Sequence, residues 1–214
     1  MEFIDEELQR YAEDHTSPES ELLRKINRQT YLNVMKPRML SGHLQGRLLS
    51  MFSHMMRPKQ VLEVGTYTGY SAMCLAEGLQ EDGTLYTIDI NEELEDTVRG
   101  YIKEAGLSES VKYYIGNALE IIPTIDATFD LVFIDADKYN YATYYDLVID
   151  RVRSGGYIIA DNVLWSGKVL EKYRRKLDED TAALLDFNKK VQDDPRVENI
   201  LLPVRDGLMI ARKK

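Results

Sequence analysis

The chain has little cysteine and no long apolar run, and each shortage excludes a class of protein. Cys74 is the single cysteine among 214 residues, so no internal disulfide can form, which fits a reducing compartment. No apolar stretch approaches the roughly 20 residues that a membrane span requires. Residues 1–7 are acidic and lack the basic and apolar blocks of a signal peptide, so we expect a soluble, cytoplasmic protein.

The chain also lacks an excess of basic residues. Its formal net charge of −9 argues against nucleic acid as the main partner, because phosphate binding requires a basic surface. It has no repeat, no low-complexity segment and no linker rich in proline or glycine. The sequence therefore predicts one domain over 1–214, with an N-terminal helical segment (1–57) and an α/β core (58–214).

The N-terminal segment is predicted to form three helices. The first carries Leu8, the second follows the apolar positions within 22–31, and the third runs from about residue 42 to 56. Within 16–19, the sequence Thr-Ser-Pro-Glu is typical of a helix cap with a proline near the first turn, so it predicts the start of the second helix.

Beyond this segment, strand and helix patterns alternate. Five apolar runs separated by helical patterns predict parallel strands with helical crossovers, and two last runs joined by four residues predict a hairpin. The predicted strands are 61–64, 85–88, 111–115, 131–134, 157–160, 199–203 and 208–211. We therefore expect an α/β, Rossmann-like, doubly wound sheet of seven strands, mostly parallel with one antiparallel strand, with helices on both faces and extra N-terminal helices.

The turn after the first strand predicts a ligand that is cationic at this point. Gly65 and Gly69 allow a tight turn and a close approach of the backbone to a ligand. Tyr67 stands where a dinucleotide fingerprint needs its second glycine, and Glu63 would repel a pyrophosphate but attract an ammonium group. An ordinary strand–helix turn remains the alternative.

Two further strand ends predict a nucleoside. Asp89 ends the second strand, where doubly wound folds bind the two hydroxyls of a ribose; a solvated aspartate is the alternative. Asn117 and Ala118 follow the third strand, at a position suited to an adenine edge. S-adenosylmethionine combines ribose, adenine and an ammonium group without phosphates, so it fits these positions.

Two acidic clusters at neighbouring strand ends predict a metal site. Asp135 follows the fourth strand, and Asp161 and Asn162 follow the fifth, so three oxygen donors would converge on a hard cation such as Mg²⁺. Lys138 would lie nearby and take a proton from a hydroxyl that then attacks the sulfonium methyl. The alternative for Lys138 is a surface salt bridge with Asp137.

Two other functions stay open on these residues alone. The metal site could serve another reaction such as hydrolysis, which predicts no binding of a methyl donor. The chain could also be a non-catalytic module that keeps a donor pocket.

Several motifs in this order resemble the cation-dependent class I O-methyltransferases, the family of catechol and caffeoyl-CoA O-methyltransferases. The resemblance runs from about Thr16 to the C-terminus. Its motifs are VLEVGTYTGYSA at 61–72, DADK at 135–138 followed by Asn140-Tyr141, DNVLWSG at 161–167, DPRV at 194–197, and Asp206-Gly207.

The resemblance implies roles for individual residues. The implied contacts to the methyl donor are Glu63, Gly65 and Thr66 at the amino acid end, Ser71 at its carboxylate, Asp89 at the ribose, Ala118 at the adenine, Ser41 in a closing loop, and Asp135. The implied metal ligands are Asp135, Asp161 and Asn162, and the implied general base is Lys138. Trp165 and Asp206 would lie near the acceptor, with core packing as the alternative for Trp165.

The resemblance also bears on the acceptor and on assembly. Glu21 stands where the plant enzymes carry a basic residue that helps with a coenzyme A substrate, so a small catechol-like phenol is expected and a coenzyme A ester is the alternative. A homodimer is implied as well. Met51, Phe52, Met55 and Met56 could contribute to its interface, with ordinary core packing as the alternative.

Overall fold

The computed structural model describes residues 5–214, so only the last three residues of the acidic segment 1–7 lie within it. The helices are α1 (Glu6–Asp14), α2 (Glu21–Asn33), α3 (Gly42–Met56), α4 (Tyr70–Ala76), α5 (Glu95–Glu104), α6 (Ala118–Ile121), α7 (Tyr141–Ile149) and α8 (Glu179–Asp193). The strands are β1 (Gln60–Val64), β2 (Thr84–Asp89), β3 (Val111–Ile115), β4 (Phe129–Ile134), β5 (Val152–Ala160), β6 (Val197–Leu202) and β7 (Leu208–Lys213).

The strands form one sheet in the order β3-β2-β1-β4-β5-β7-β6. Strand β7 runs antiparallel to both of its neighbours, and the remaining pairs are parallel. This confirms the predicted seven-stranded, mostly parallel, Rossmann-like sheet. The chain leaves β1 towards β2 and β3 and then returns to add β4 on the other side. The strand order therefore reverses between β1 and β4, where such sheets leave a crevice for ligands.

Side chains that alternate along each strand build two hydrophobic cores, one on each face of the sheet. In β1, Leu62 faces the core that contains α7 and α8, whereas Val61 faces the core that contains α2, α3, α4 and α5. Burial of a large apolar side chain contributes on the order of 1.5–3 kcal/mol, so both layers of helices are firmly attached to the sheet. Cys74 is buried in the second of these cores, where it packs among apolar side chains.

Most boundaries lie within two residues of the sequence prediction, and two differences are more informative. The cap predicted within 16–19 was wrong: α2 begins at Glu21, and the hydroxyl of Ser20 accepts a hydrogen bond from the backbone N–H of Leu23 at 3.2 Å. Strand β5 begins at Val152 rather than near residue 157. Within it, Gly155 has a φ of +77°, in the left-handed region that favours glycine, and the register against β4 is irregular.

The exposed side of α3 carries unpaired apolar side chains. Met51 and Met55 are 60% and 75% exposed, so ordinary core packing does not account for them. Phe52 and Met56 are half-buried against the core. None of the helices within residues 5–214 has the length and apolarity needed to cross a membrane.

Candidate active site

A cavity of about 1530 Å³ lies at the carboxyl ends of β1, β2, β3, β4 and β5. It brings together every predicted site residue except Glu63 and Asp206. The predicted residues that line it are Ser41, Gly65, Thr66, Ser71, Asp89, Ala118, Asp135, Lys138, Asp161, Asn162 and Trp165. The cavity thus occupies the crevice that the reversal of strand order creates.

The turn after β1 depends on glycine. Gly65 has a φ of +104°, and a Cβ atom there would overlap the backbone carbonyl of Asp135 at the end of β4. Tyr67 also has a positive φ, and its backbone N–H donates to Asp89 Oδ2 at 2.6 Å. The other oxygen of Asp89 accepts from the N–H of Asn91 at 2.8 Å. These two bonds fix the Asp89 carboxylate at the end of β2.

Glu63 is fully buried directly before this turn. Its Oε2 atom accepts a hydrogen bond from the Thr87 hydroxyl at 2.5 Å, while its Oε1 atom has no hydrogen-bond partner within residues 5–214. Burial raises the pKa of Glu63 to about 8, and the hydroxyls of Ser71 and Thr87 offset part of this effect. A buried carboxylate with an unpartnered oxygen is the kind of group that a cationic ligand would satisfy.

The remaining residues that the sequence predicts to contact the methyl donor come from three separate elements. Ser71 lies in the first turn of α4, and Ala118 is the first residue of α6, whose start is capped by Asn117. Ser41 directly precedes α3, and its backbone carbonyl accepts a hydrogen bond from the guanidinium of Arg205. The sheet and three helix starts therefore surround one space.

Lys138 is anchored at the other end of the cavity, with 7% of its surface exposed. Its Nζ atom lies 3.0 Å from Asp135 Oδ1 and 2.5 Å from the hydroxyl of Tyr141, which in turn donates to the carbonyl of Asp161 at 2.9 Å. The predicted alternative, a salt bridge with Asp137, was wrong. Asp137 is exposed and accepts instead from the hydroxyl of Tyr144 and the amide of Asn140.

Asp161 and Asn162 directly follow β5 and form the second of the two acidic clusters. Asp161 Oδ1 accepts from the N–H of Asn162 at 2.6 Å, and Oδ2 accepts from the side-chain amide of Gln45 at 2.6 Å. Burial raises the pKa of Asp161, and the neighbouring charge of Asp135 raises it further. Asn162 adopts a positive φ of 59°, which turns the chain back at the cavity wall.

These residues fit a hard divalent cation. Two carboxylates that repel each other, next to an amide oxygen, would be stabilised by a bound cation, and Mg²⁺ prefers such oxygen ligands. Within residues 5–214, no three His, Cys, Asp or Glu side chains cluster so that they could hold a metal. A cation here would therefore need Asn162 and oxygens from outside the protein in addition to Asp135 and Asp161.

Trp165 lies at the wall of the cavity on a turn with unusual backbone geometry. Trp165 and Ser166 both have positive φ angles, of 49° and 52°. Asp206 supports this turn because its Oδ1 atom accepts from the N–H of Ser166 at 2.5 Å. Lys138 Nζ lies 5.9 Å from the centroid of the Trp165 ring, and Lys168 Nζ lies 5.6 Å from it.

Sequence reasoning missed Gln45, Arg205 and Tyr141. Tyr141 belongs to a motif that the sequence contains, next to the DADK segment, and its position three residues after Lys138 was the available signal. Gln45 and Arg205 gave no local signal, because each meets the site through a residue more than a hundred positions away.

A doubly wound sheet with a cavity at its switch point is the architecture that this chain shares with solved class I methyltransferases. A family model described as O-methyltransferase matches residues 13–214. Caffeoyl-CoA O-methyltransferase 1 from Arabidopsis thaliana is 36% identical over 182 residues, which cover 79% of this chain and 69% of that protein.

Solved structures agree with this match. The SAH-bound methyltransferase PaMTH1 from Podospora anserina has a TM-score of 0.90 at 28% identity, over 99% of this chain and 97% of that chain. The O-methyltransferase TomG from Streptomyces achromogenes, in complex with SAM, has a TM-score of 0.87 at 28% identity, over 97% and 96% of the two chains. The chain therefore belongs to the O-methyltransferase family and is a class I S-adenosylmethionine-dependent O-methyltransferase.

Proposed function

We propose that the protein transfers the methyl group of S-adenosylmethionine to one hydroxyl of a small catechol-like aromatic, with a divalent cation held by Asp135, Asp161 and Asn162. The position of Lys138 carries this proposal. Its amine lies 3.0 Å from Asp135 Oδ1, in the wall of a cavity large enough for donor and acceptor together. An amine at this place can accept the proton of an acceptor hydroxyl.

The donor would occupy the part of the cavity between β1, β2 and β3. The buried Glu63 would attract its ammonium group through the unpartnered Oε1, and Ser71 would bind its carboxylate. Asp89, fixed by two backbone N–H groups, would accept the ribose hydroxyls. Ala118 would lie against the adenine.

At the acceptor end, the chain holds a proton acceptor beside the attacking oxygen. The proton of the acceptor hydroxyl would pass to Lys138 Nζ in its free-amine form, and the oxygen would form a bond to the methyl carbon as the carbon–sulfur bond breaks. Tyr141 keeps the amine in place. When bound, the cation would supply positive charge that favours the ionised acceptor hydroxyl. Proximity within one cavity would contribute most of the remaining acceleration.

A coenzyme A ester of a phenolic acid is the second candidate acceptor. The relatives described as caffeoyl-CoA O-methyltransferases favour it. Against it, the first residue of α2, Glu21, is exposed and acidic where a basic residue would assist an anionic substrate. A comparison of catechol with caffeoyl-CoA as acceptors would decide between the two.

We also propose that the protein forms a homodimer and acts in the cytoplasm. The exposed Met51 and Met55 on α3 support a homodimer, and analytical ultracentrifugation would test it. The cytoplasmic location rests on the composition of the sequence.

The role of Lys138 can be tested with a matched pair of variants. Lys138 and Lys168 both approach the Trp165 ring, but only Lys138 contacts Asp135. Methylated catechol, measured by mass spectrometry, should fall on the order of 10²- to 10⁴-fold in Lys138→Met and stay within a few-fold in Lys168→Met.

Donor binding serves as the control for this comparison. Calorimetry should give similar affinities for S-adenosylhomocysteine in both variants. A fully active Lys138→Met would refute the assigned base, and a wild-type protein that binds no donor would favour hydrolysis or another reaction instead.

A further inference from the structure

A buried glutamine connects the donor-side loop to the acidic pair. Gln45 lies on α3 with no exposed surface, and its Nε2 atom is 2.6 Å from Asp161 Oδ2. No part of the function proposed above uses it. We propose that Gln45, oriented by Arg205, is a positioning residue that sets the direction of the Asp161 carboxylate towards the cation. This inference rests on the proposed metal-dependent function.

The orientation of the Gln45 amide follows from its two partners. Arg205 Nη1 lies 3.2 Å from Gln45 Oε1, and a guanidinium can only donate hydrogen bonds. The oxygen of the amide must therefore face Arg205. Its NH₂ group then faces Asp161, because an ionised carboxylate can accept hydrogen bonds but cannot donate them. The arginine thus determines which end of the amide meets the carboxylate.

Arg205 is held in turn by the loop that precedes α3. It lies between β6 and β7 with a positive φ of 49°, and it donates to the carbonyls of Leu40 and Ser41. Because its guanidinium contacts the loop and the amide together, neither can turn independently. The Ser41 loop and the Asp161 carboxylate are therefore linked through two side chains.

The consequence for Asp161 is that both of its oxygens already accept one fixed hydrogen bond. Oδ1 receives the N–H of Asn162, and Oδ2 receives the amide of Gln45. With the carboxylate plane fixed, the remaining lone pairs point in defined directions. Partners of this kind typically change metal affinity by about 10- to 100-fold when they are removed. A neutral amide orients the carboxylate without adding a positive charge that would compete with a cation.

Gln45→Met keeps the length of the side chain but removes both hydrogen bonds. This variant should bind Mn²⁺ about 10- to 100-fold more weakly than the wild type. Binding to the metal-free protein is measured by calorimetry and by electron paramagnetic resonance. Leu49→Met, one turn further along the buried side of α3, is the matched control and should bind Mn²⁺ as the wild type does.

Four further measurements separate positioning from a general structural effect. Thermal unfolding of Gln45→Met and its affinity for S-adenosylhomocysteine without metal should stay close to those of the wild type. Its methyl-transfer rate should be low at limiting Mg²⁺ and should recover as Mg²⁺ is raised. Arg205→Met, on the exposed connection, leaves Gln45 in place and should weaken Mn²⁺ binding less than Gln45→Met.

The outcomes are distinguishable. If the wild type binds Mn²⁺ and both Gln45→Met and Arg205→Met bind it as tightly as the wild type does, the positioning role is wrong while the proposed function stands. If the wild type binds no Mn²⁺, the metal-dependent function fails and this inference fails with it. If Gln45→Met does not fold, unchanged Mn²⁺ binding in Arg205→Met overturns the inference, and weakened binding supports it.

Discussion

The buried Glu63 should make donor binding depend on pH. Its pKa is raised to about 8, mainly by burial, whereas its ordinary value is near 4.3. Below pH 8 the carboxyl of the empty protein is therefore mostly protonated. The proposed contact with the donor ammonium requires the ionised form, so binding must first remove this proton.

The size of the effect follows from that difference. Each pH unit below the pKa costs about 1.4 kcal/mol to ionise the group, which is a tenfold loss of affinity. Raising the pH from 5.5 to 7.5 should therefore strengthen binding of S-adenosylhomocysteine by on the order of 100-fold, through increasing ionisation of Glu63.

Calorimetry on the metal-free protein, kept in chelator, measures the slope of S-adenosylhomocysteine affinity against pH without a contribution from titration of the metal site. Glu63→Gln should bind the ligand more weakly at pH 7.5 and lose most of the slope. Glu104→Gln, at an exposed position at the end of α5, should keep it. A wild-type affinity that is flat between pH 5.5 and 7.5 would refute the role assigned to Glu63.

Three further substitutions test other parts of the structure. Gly65→Ala should abolish binding of S-adenosylhomocysteine in calorimetry, because its Cβ would overlap the neighbouring strand end. Asp206→Ala removes the acceptor of the Ser166 N–H, so the KM for the acceptor should rise about 5- to 30-fold, equivalent to roughly 1–2 kcal/mol, with donor affinity unchanged. Arg196 holds the pKa of Asp194 well below its usual value, so this carboxylate stabilises the fold above about pH 4 and less as the pH falls further. Asp194→Asn should lower the free energy of unfolding at pH 7 by about 1.5–3 kcal/mol in urea titrations and flatten its decline in acid.

The sequence predicted the sheet well, because each strand is a local pattern. Apolar runs such as that of β4, followed by helical spacing, specify parallel strands and crossovers without long-range information. The two acidic strand ends could be placed together for the same reason. Their convergence follows from adjacent parallel strands, and the structure has Asp135 and Asp161 in one cavity wall.

Contacts between distant segments could not be predicted in this way. The bond from Gln45 to Asp161 spans 116 positions, and its formation depends on how α3 packs against the strand ends. The contact that Asp206 makes could not be predicted for a similar reason. The resemblance implies a position near the acceptor; in the structure its carboxylate accepts a hydrogen bond from the backbone N–H of Ser166, beside Trp165, and does not itself line the cavity.

The exposed methionines of α3 are a further case. Their helical spacing is compatible with burial against the chain's own core or against a second copy. Helical periodicity indicates that a face is apolar, but it does not indicate what covers that face. Only the packed structure showed that Met51 and Met55 point away from the core.

The dependence of methyl transfer on a divalent cation is the central claim, and one assay tests it directly. The wild-type protein is supplied with S-adenosylmethionine and catechol, first with Mg²⁺, then with EDTA, and then with Mg²⁺ in excess over EDTA, and the methylated product is measured by mass spectrometry. We expect product formation to fall to background in EDTA and to return with Mg²⁺. Undiminished product formation in EDTA would contradict the assignment of Asp135, Asp161 and Asn162 as metal ligands.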